Sequence, residues 1–131
     1  MTEYQNFLED YRRTWESVMN AGDVTPMTRF FHVPYFAVGP DGTVTLVKSE
    51  AEIHAFNQVR LDQFQKDKAT RAFSRGCDVL TLGAGSALIV ANWELQRTDG
   101  TVARVWRHFY NMARTSTGPL SGAKRTWCAR F

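Results

Sequence analysis

Apolar residues recur at three- and four-residue spacing near the start of the chain. Tyr4, Phe7, Leu8, Tyr11, Trp15, Val18 and Met19 form one stripe, which predicts an amphipathic helix. Thr2 followed by Gln5 has the form of a capping box, and Gly22 stands where a left-handed closing residue is needed. A short second helix is expected from Thr25-Pro26, with proline where its missing N–H costs nothing and Asp23 as cap. Met27, Phe30 and Phe31 would be its buried face, and Val33-Pro34 ends it, because a residue before proline avoids the helical region. The stretch PYFAVGPDGTVTLV then reads as a hairpin turning at Gly39-Pro40-Asp41-Gly42. Ser49 with Glu52 marks a third helix running to about Lys66. Its apolar stripe of Ile53, Phe56, Leu61 and Phe64 includes two polar residues, Asn57 and Arg60, on the same side.

Long strands follow near 70–82, 86–97 and 101–114, with a last one near 123–131. In SALIVANWEL one side is wholly apolar: Ala87, Ile89, Ala91, Trp93 and Leu95. Its neighbour RVWRHFYNM is harder to read. Arg104, Trp106, His108, Tyr110 and Met112 alternate with Val105, Arg107, Phe109 and Asn111, so both sides carry rings and polar heads. The turn at Asp99-Gly100 decides which side faces inward. A two-residue hairpin pairs Thr98 with Thr101 and sets Trp93 opposite Trp106, Ala91 opposite His108 and Ile89 opposite Tyr110. A three-residue loop with Gly100 as a bulge flips the parity and brings Val105, Arg107 and Phe109 to the Trp93 face. The threonine flanks favour the tight hairpin. Helices first and an antiparallel meander afterwards give an α+β layout, with three helices packed on one face of a curved sheet.

The 131 residues suit one domain, spanning 1–131, and 44% hydrophobic with 22% charged residues suits a globular one. Net charge is +3, and the basic residues are spread out, with the densest cluster (Lys124, Arg125, Arg130) in the expected last strand. A nucleic-acid footprint needs basic residues gathered on one face, so no nucleic-acid partner is expected. The longest apolar run, ALIVA, is far below the roughly 20 residues that span a bilayer, and the acidic start is no secretory signal. The expectation is a soluble cytoplasmic chain without a membrane partner, with Cys77 and Cys128 as reduced thiols in strands. Three scattered histidines and two unrelated cysteines support no metal site, and GAG at 83–85 reads as a strand turn, not a phosphate loop.

Trp15, the run Asn20-Ala21-Gly22-Asp23, the Phe30-Phe31 pair, Gly39-Pro40-Asp41-Gly42, Ala91-Asn92-Trp93 and Asp99-Gly100-Thr101 come in an order that resembles the NTF2-like superfamily, in its SnoaL-like and steroid-isomerase branch. The resemblance implies a cone-shaped, cystatin-like α+β fold wrapped around a deep pocket, commonly a homodimer whose partner covers the outer sheet face. It does not carry the isomerase machinery. The position of the family's general base falls on Gly39, that of its oxyanion donor on Trp15, and 101–114 holds no Asp or Glu for the second acid. The Asp-Arg-Asp set of the family's epoxide hydrolases is not evident. The dehydratase branch's His and Tyr find counterparts by type in His108 and Tyr110, but its helix-one acid does not carry over to Asp10.

Two readings follow. In the first, a small-molecule pocket acts without cofactor as an isomerase, dehydratase or lyase on a small polar or anionic organic substrate. His108 would be the acid/base and Tyr110 an oxyanion donor. Asn57 and Arg60 would orient the polar part, Trp15, Phe56, Trp93 and Trp106 would form the walls, and His32 would stand at the mouth. Ala87 and Ala91 would leave room for the ligand. In the second, the chain is a non-catalytic binding or dimerisation module, with Arg60 paired to a carboxylate or reaching solvent and Asn57 bonded to backbone. His54 would be solvated, and Arg104 or Arg107 would meet Glu94 or an acidic ligand.

Overall fold

The computed structural model of the chain describes residues 2–114 and 127–130. Helix α1 spans Glu3–Ala21. Thr2 Oγ1 accepts from the Gln5 N–H and Gln5 Oε1 accepts from the Thr2 N–H, so the capping box closes in both directions. Gly22 ends the helix at φ +80°, its N–H donating to the Val18 carbonyl at 2.8 Å. The stripe is buried: Leu8, Tyr11, Trp15, Val18 and Met19 fully, Tyr4 and Phe7 in part. Each full burial is worth roughly 1.5–3 kcal/mol, which is what holds α1 to the sheet.

The expected second helix is a 3-10 segment, Thr25–Phe30, and Phe31 leaves it in extended backbone. Six residues hemmed by prolines close i→i+3 bonds more readily than a full α turn. Its apolar face still points inward, with Met27, Phe30 and Phe31 buried, and Asp23 accepts from both the N–H and the hydroxyl of Thr25. Strands β1 (Tyr35–Val38) and β2 (Val44–Val47) form the expected hairpin across Gly39–Gly42. Tyr35 and Val47 face in, and Phe36, Val38, Val44 and Leu46 face out. Helix α2 spans Glu50–Lys66; Ser49 Oγ accepts from the Glu52 N–H, and the Glu52 carboxylate reaches back to the Lys48 N–H.

The main sheet is antiparallel in the order β3-β4-β5-β6, with β3 at Arg71–Gly83, β4 at Ser86–Gln96, β5 at Val102–Arg114 and β6 at Trp127–Arg130. The expected last strand near 123–131 is found as β6 over Trp127–Arg130, and residues 123–126 with their Lys124 and Arg125, and Phe131, lie outside the described residues. Cys77 lies half-buried in β3, and Cys128 lies in β6. The inner face of β4 carries Ala87, Ile89, Ala91, Trp93 and Leu95, all buried. Arg75 and Gly76 bulge out of β3 between Ser74 and Cys77, with Gly76 at φ +119°, which curls the sheet over the helices. The exposed edge of β3 is fastened to α1. Glu16 accepts from the Ala72 N–H at 3.1 Å, Arg12 donates to the Ala72 carbonyl at 3.0 Å, and Asn20 donates to the Thr70 carbonyl at 3.1 Å.

The β4–β5 register is the expected one, but by another route. Trp93 lies opposite Trp106, Ala91 opposite His108 and Ile89 opposite Tyr110. The turn, however, is the three-residue kind: Arg97 pairs with Thr101, the Gly100 N–H donates to the Arg97 carbonyl, and Gly100 stands at φ +87°. A second irregularity follows at once, because Gln96 pairs with Val102 while Leu95 pairs with Arg104. Against the tight hairpin, the loop takes in Thr98 from the β4 side and Ala103 adds one residue on the β5 side, so the two shifts cancel.

Candidate functional site

Helix α2 brings Phe64 and Arg60 to the inner face of the main sheet, with Ile53 and Asn57 buried farther along the helix. Phe64 wedges between α1 and the sheet, 5.3 Å from Trp15 and 5.8 Å from Trp106 between ring centroids. Trp106 in turn stacks on its cross-strand partner Trp93 at 6.4 Å. Where these rings meet there is a small cavity lined by Tyr11, Trp15, Arg60, Phe64, Ala72, Trp93, Leu95 and Trp106. Its volume is about 10 Å³, room for one water molecule at most.

Arg60 is the polar element of this lining. Its guanidinium carbon lies 5.4 Å from the Trp15 ring and 6.0 Å from the Phe56 ring. Its Nη1 is buried with no hydrogen-bond partner among the described residues. The pairing with a carboxylate, open as one reading of the sequence, is not found: no Asp or Glu lies within salt-bridge distance of Arg60 among the described residues. Residues 115–126 and 131 contain no Asp or Glu, so no acidic side chain of the chain remains to take that role. Asn57, one turn earlier on the same face, is 0% exposed, and neither Nδ2 nor Oδ1 has a partner among the described residues. The alternative bond from Asn57 to backbone is therefore not formed either. A wholly buried amide left without partners costs about 1–3 kcal/mol for each unmet group.

His108 and Tyr110 both lie on the inner face of β5, as the register requires, and their rings stack at 4.3 Å and 9°. Tyr110 is fully buried, and its hydroxyl accepts from Trp93 Nε1 at 2.8 Å. Burial pushes that hydroxyl well above its ordinary pKa, with Tyr11 adding to the shift and Arg60 opposing it. Among the described residues the Tyr11 hydroxyl makes no hydrogen bond of ordinary geometry, although it lies close enough to Tyr110 to act on it. Burial lowers the His108 pKa to about 3, helped by repulsion from Arg60. The imidazole is therefore neutral at physiological pH. Burial likewise raises the Tyr35 hydroxyl, with Arg60 opposing. Arg60 is thus felt by Tyr35 on β1 and by His108 and Tyr110 on β5.

Of the residues singled out from the sequence, Trp15, Arg60, Trp93 and Trp106 line the cavity. Phe56 is half-buried and packs on Arg60 from outside the lining, and Asn57, His108 and Tyr110 are not among the lining residues. His32 is exposed at the end of the 3-10 segment and His54 is exposed on α2. Ala87 and Ala91, beside which room was expected, are both buried, and neither lines this cavity. Arg104 pairs with Asp67 at 2.9 Å, and Glu94 pairs with Arg75, so neither Arg104 nor Arg107 meets Glu94. Tyr11, Phe64, Ala72 and Leu95 also line the site. Tyr11, Phe64 and Leu95 were visible in the sequence as members of apolar stripes, a signal that marks core without separating wall from filler, whereas Ala72 carried no such signal. Among the described residues no group of three or more His, Cys, Asp or Glu side chains could hold a metal ion, and no helix is long and apolar enough to cross a membrane.

The family described as NTF2-like protein (DUF6841) matches residues 2–119. Among solved structures, a domain of unknown function with a cystatin-like fold from Nostoc punctiforme superposes with a TM-score of 0.65 at 18% identity, over 99% of this chain and 75% of that one. An NTF-2 like protein of unknown function from Shewanella oneidensis gives 0.64 at 12% identity, over 95% and 93% of the two chains. A candidate calcium/calmodulin dependent protein kinase II association domain from Xanthomonas campestris gives 0.56 at 13%, over 89% and 76%. No protein of curated function matches the chain.

Proposed function

The chain belongs to the NTF2-like (DUF6841) family, and from that premise we propose that it is a binding module with a pocket of the SnoaL-like kind, taking a small anionic organic molecule at Arg60. One observation carries this reading. Among the described residues, a guanidinium with a buried, unpartnered Nη1 sits one turn from an amide that is unpartnered at both ends, and no Asp or Glu side chain pairs with either. Leaving such groups unmet in a folded core is costly. An incoming carboxylate would satisfy the Arg60 donor and the Asn57 Nδ2 donor at once.

Binding accounts for the site better than isomerase, dehydratase or lyase chemistry. With its pKa at about 3, His108 is a weak base at neutral pH and does not hold a proton to give. The Tyr110 hydroxyl already accepts from Trp93 and is fully buried. No carboxylate base lines the cavity. The experiment is a thermal-unfolding series on the full chain with millimolar organic acids and their neutral amides, followed by NMR of the mixtures. Acids should raise the midpoint in wild type but not in Arg60→Gln, and should be recovered unchanged. Equal stabilisation by amides, or by acids in Arg60→Gln, refutes the reading. Conversion of an acid restores the catalytic one.

A second reading concerns the outer sheet face, where Leu80, 59% exposed, lies opposite Leu88, and Phe109, 60% exposed, lies opposite Val90. Contiguous exposed apolar surface of this kind marks an interaction site. We propose a second copy of this chain as its occupant, which makes the protein a homodimer.

A further inference from the structure

Three properties of the lining restrict what the site can hold. The first is charge. Arg60 is the one ionised side chain among the lining residues, so a cation would meet an uncompensated guanidinium and a dianion would leave one charge against rings. The second is shape. Tyr11, Trp15, Phe64, Trp93 and Trp106 make the walls, which reward a flat apolar body and give a polyol few partners. The third is room. With about 10 Å³ free, the body of any organic occupant must replace a side chain. Tyr11, Trp15, Phe64 and Trp93 are 6% exposed or less, whereas Trp106 is half-buried at the surface of the cluster. Its indole already lies stacked against Phe64 and Trp93, in the slot a flat ring would take.

Resting on the anion-binding reading above, we propose that the ligand is a flat aromatic monocarboxylate, whose carboxylate takes Arg60 Nη1 and Asn57 Nδ2 and whose ring enters by displacing the Trp106 indole. Trp15 and Phe56 hold the guanidinium in place by stacking, so its fork is oriented before the ligand arrives. Trp106 is a plug supplied by β5, and the register that sets it opposite Trp93 puts the plug over the slot.

The test is calorimetric titration of the full chain with four probes: benzoate, benzamide, acetate and phthalate. Benzoate should bind at least about tenfold more tightly than each of the others, the size of one charge-assisted hydrogen bond. Benzamide binding as tightly as benzoate would overturn the monocarboxylate and the anion reading together, leaving only a neutral apolar pocket. Acetate matching benzoate would overturn the aromatic body while leaving anion binding intact, and phthalate matching it would overturn the limit to a single charge. No binding of any probe overturns both this proposal and the reading it rests on. A Trp106→Ala variant should bind benzoate at least about threefold more tightly, because no ring has to be moved. Unchanged or weaker binding there means that the indole is a wall and removes the displacement step. The wild-type probe series stands by itself should either Arg60 or Trp106 variants fold poorly.

Discussion

His108 gives the fold a pH dependence that can be isolated from every carboxylate. In the unfolded chain its pKa is near the ordinary 6.5, and in the folded state burial and Arg60 lower it to about 3. Between those values the unfolded chain binds a proton that the native state refuses, so stability rises with pH throughout that window and is fully present above about 6.5. Over the part from about pH 6.5 down to pH 5 the loss amounts to about 2 kcal/mol, a slope approaching 1.4 kcal/mol per pH unit. The paired acids act lower. Arg12 holds Glu9 down to about 2, and Asp67 and Glu94 are lowered chiefly by Arg104 and Gln96 respectively, so their contribution is present above the ordinary carboxylate range and lost only as pH falls through it. Urea unfolding of wild type and His108→Gln at several pH values between 5 and 7 measures the difference, and proton NMR of the imidazole gives the midpoint. Wild type should lose stability on acidification in this range, with the slope much reduced in His108→Gln. The His108 ring signal should stay unshifted down to about pH 4.5, and Arg60→Gln should raise its midpoint by removing the repulsion. An identical slope in His108→Gln, or an imidazole midpoint near 6, would refute the account of a dehydrated ring beside an unpaired guanidinium.

Asn57→Leu should stabilise the protein by about 1 kcal/mol in the same urea assay, because an apolar group of similar size replaces a buried amide with unmet bonds, and should weaken benzoate binding several-fold. A loss of stability would mean that the amide is satisfied within the fold. Phe109→Glu on the outer sheet face should convert a dimer to a monomer in light scattering at micromolar concentration without lowering the intrinsic stability, since the ring is 60% exposed in one chain. A wild-type monomer, or an undisturbed dimer in the variant, refutes that interface.

The parts of this fold that could be read from the sequence are those set by local chemistry. The stripe from Tyr4 to Met19, the Thr2–Gln5 box, the Gly39–Gly42 turn and the alternation of β4 each depend on residues close together in the chain. The second helix was readable as a buried face but not as a 3-10 coil, because inward-facing Met27 and Phe30 suit either winding over six residues. The β4–β5 register was reached through a turn that is not there. Sequence reasoning can count one insertion at Asp99-Gly100, but the compensating residue at Ala103 has no turn chemistry to mark it. What selects the observed parity is burial on the far side of the strand: Tyr110 and Met112 are fully enclosed on the inner face while Val105 and Phe109 stay out. The site follows the same logic. Asn57 and Arg60 stood out because polar residues interrupt an apolar stripe, a local conflict of the kind that functional sites leave in sequences built to fold. Where the signal was only small side-chain size, as with Ala87 and Ala91, close packing decided: both are buried and neither lines the cavity. The unmet hydrogen bonds around Arg60, more than the hollow itself, are therefore the feature by which this chain differs from a simply well-packed core.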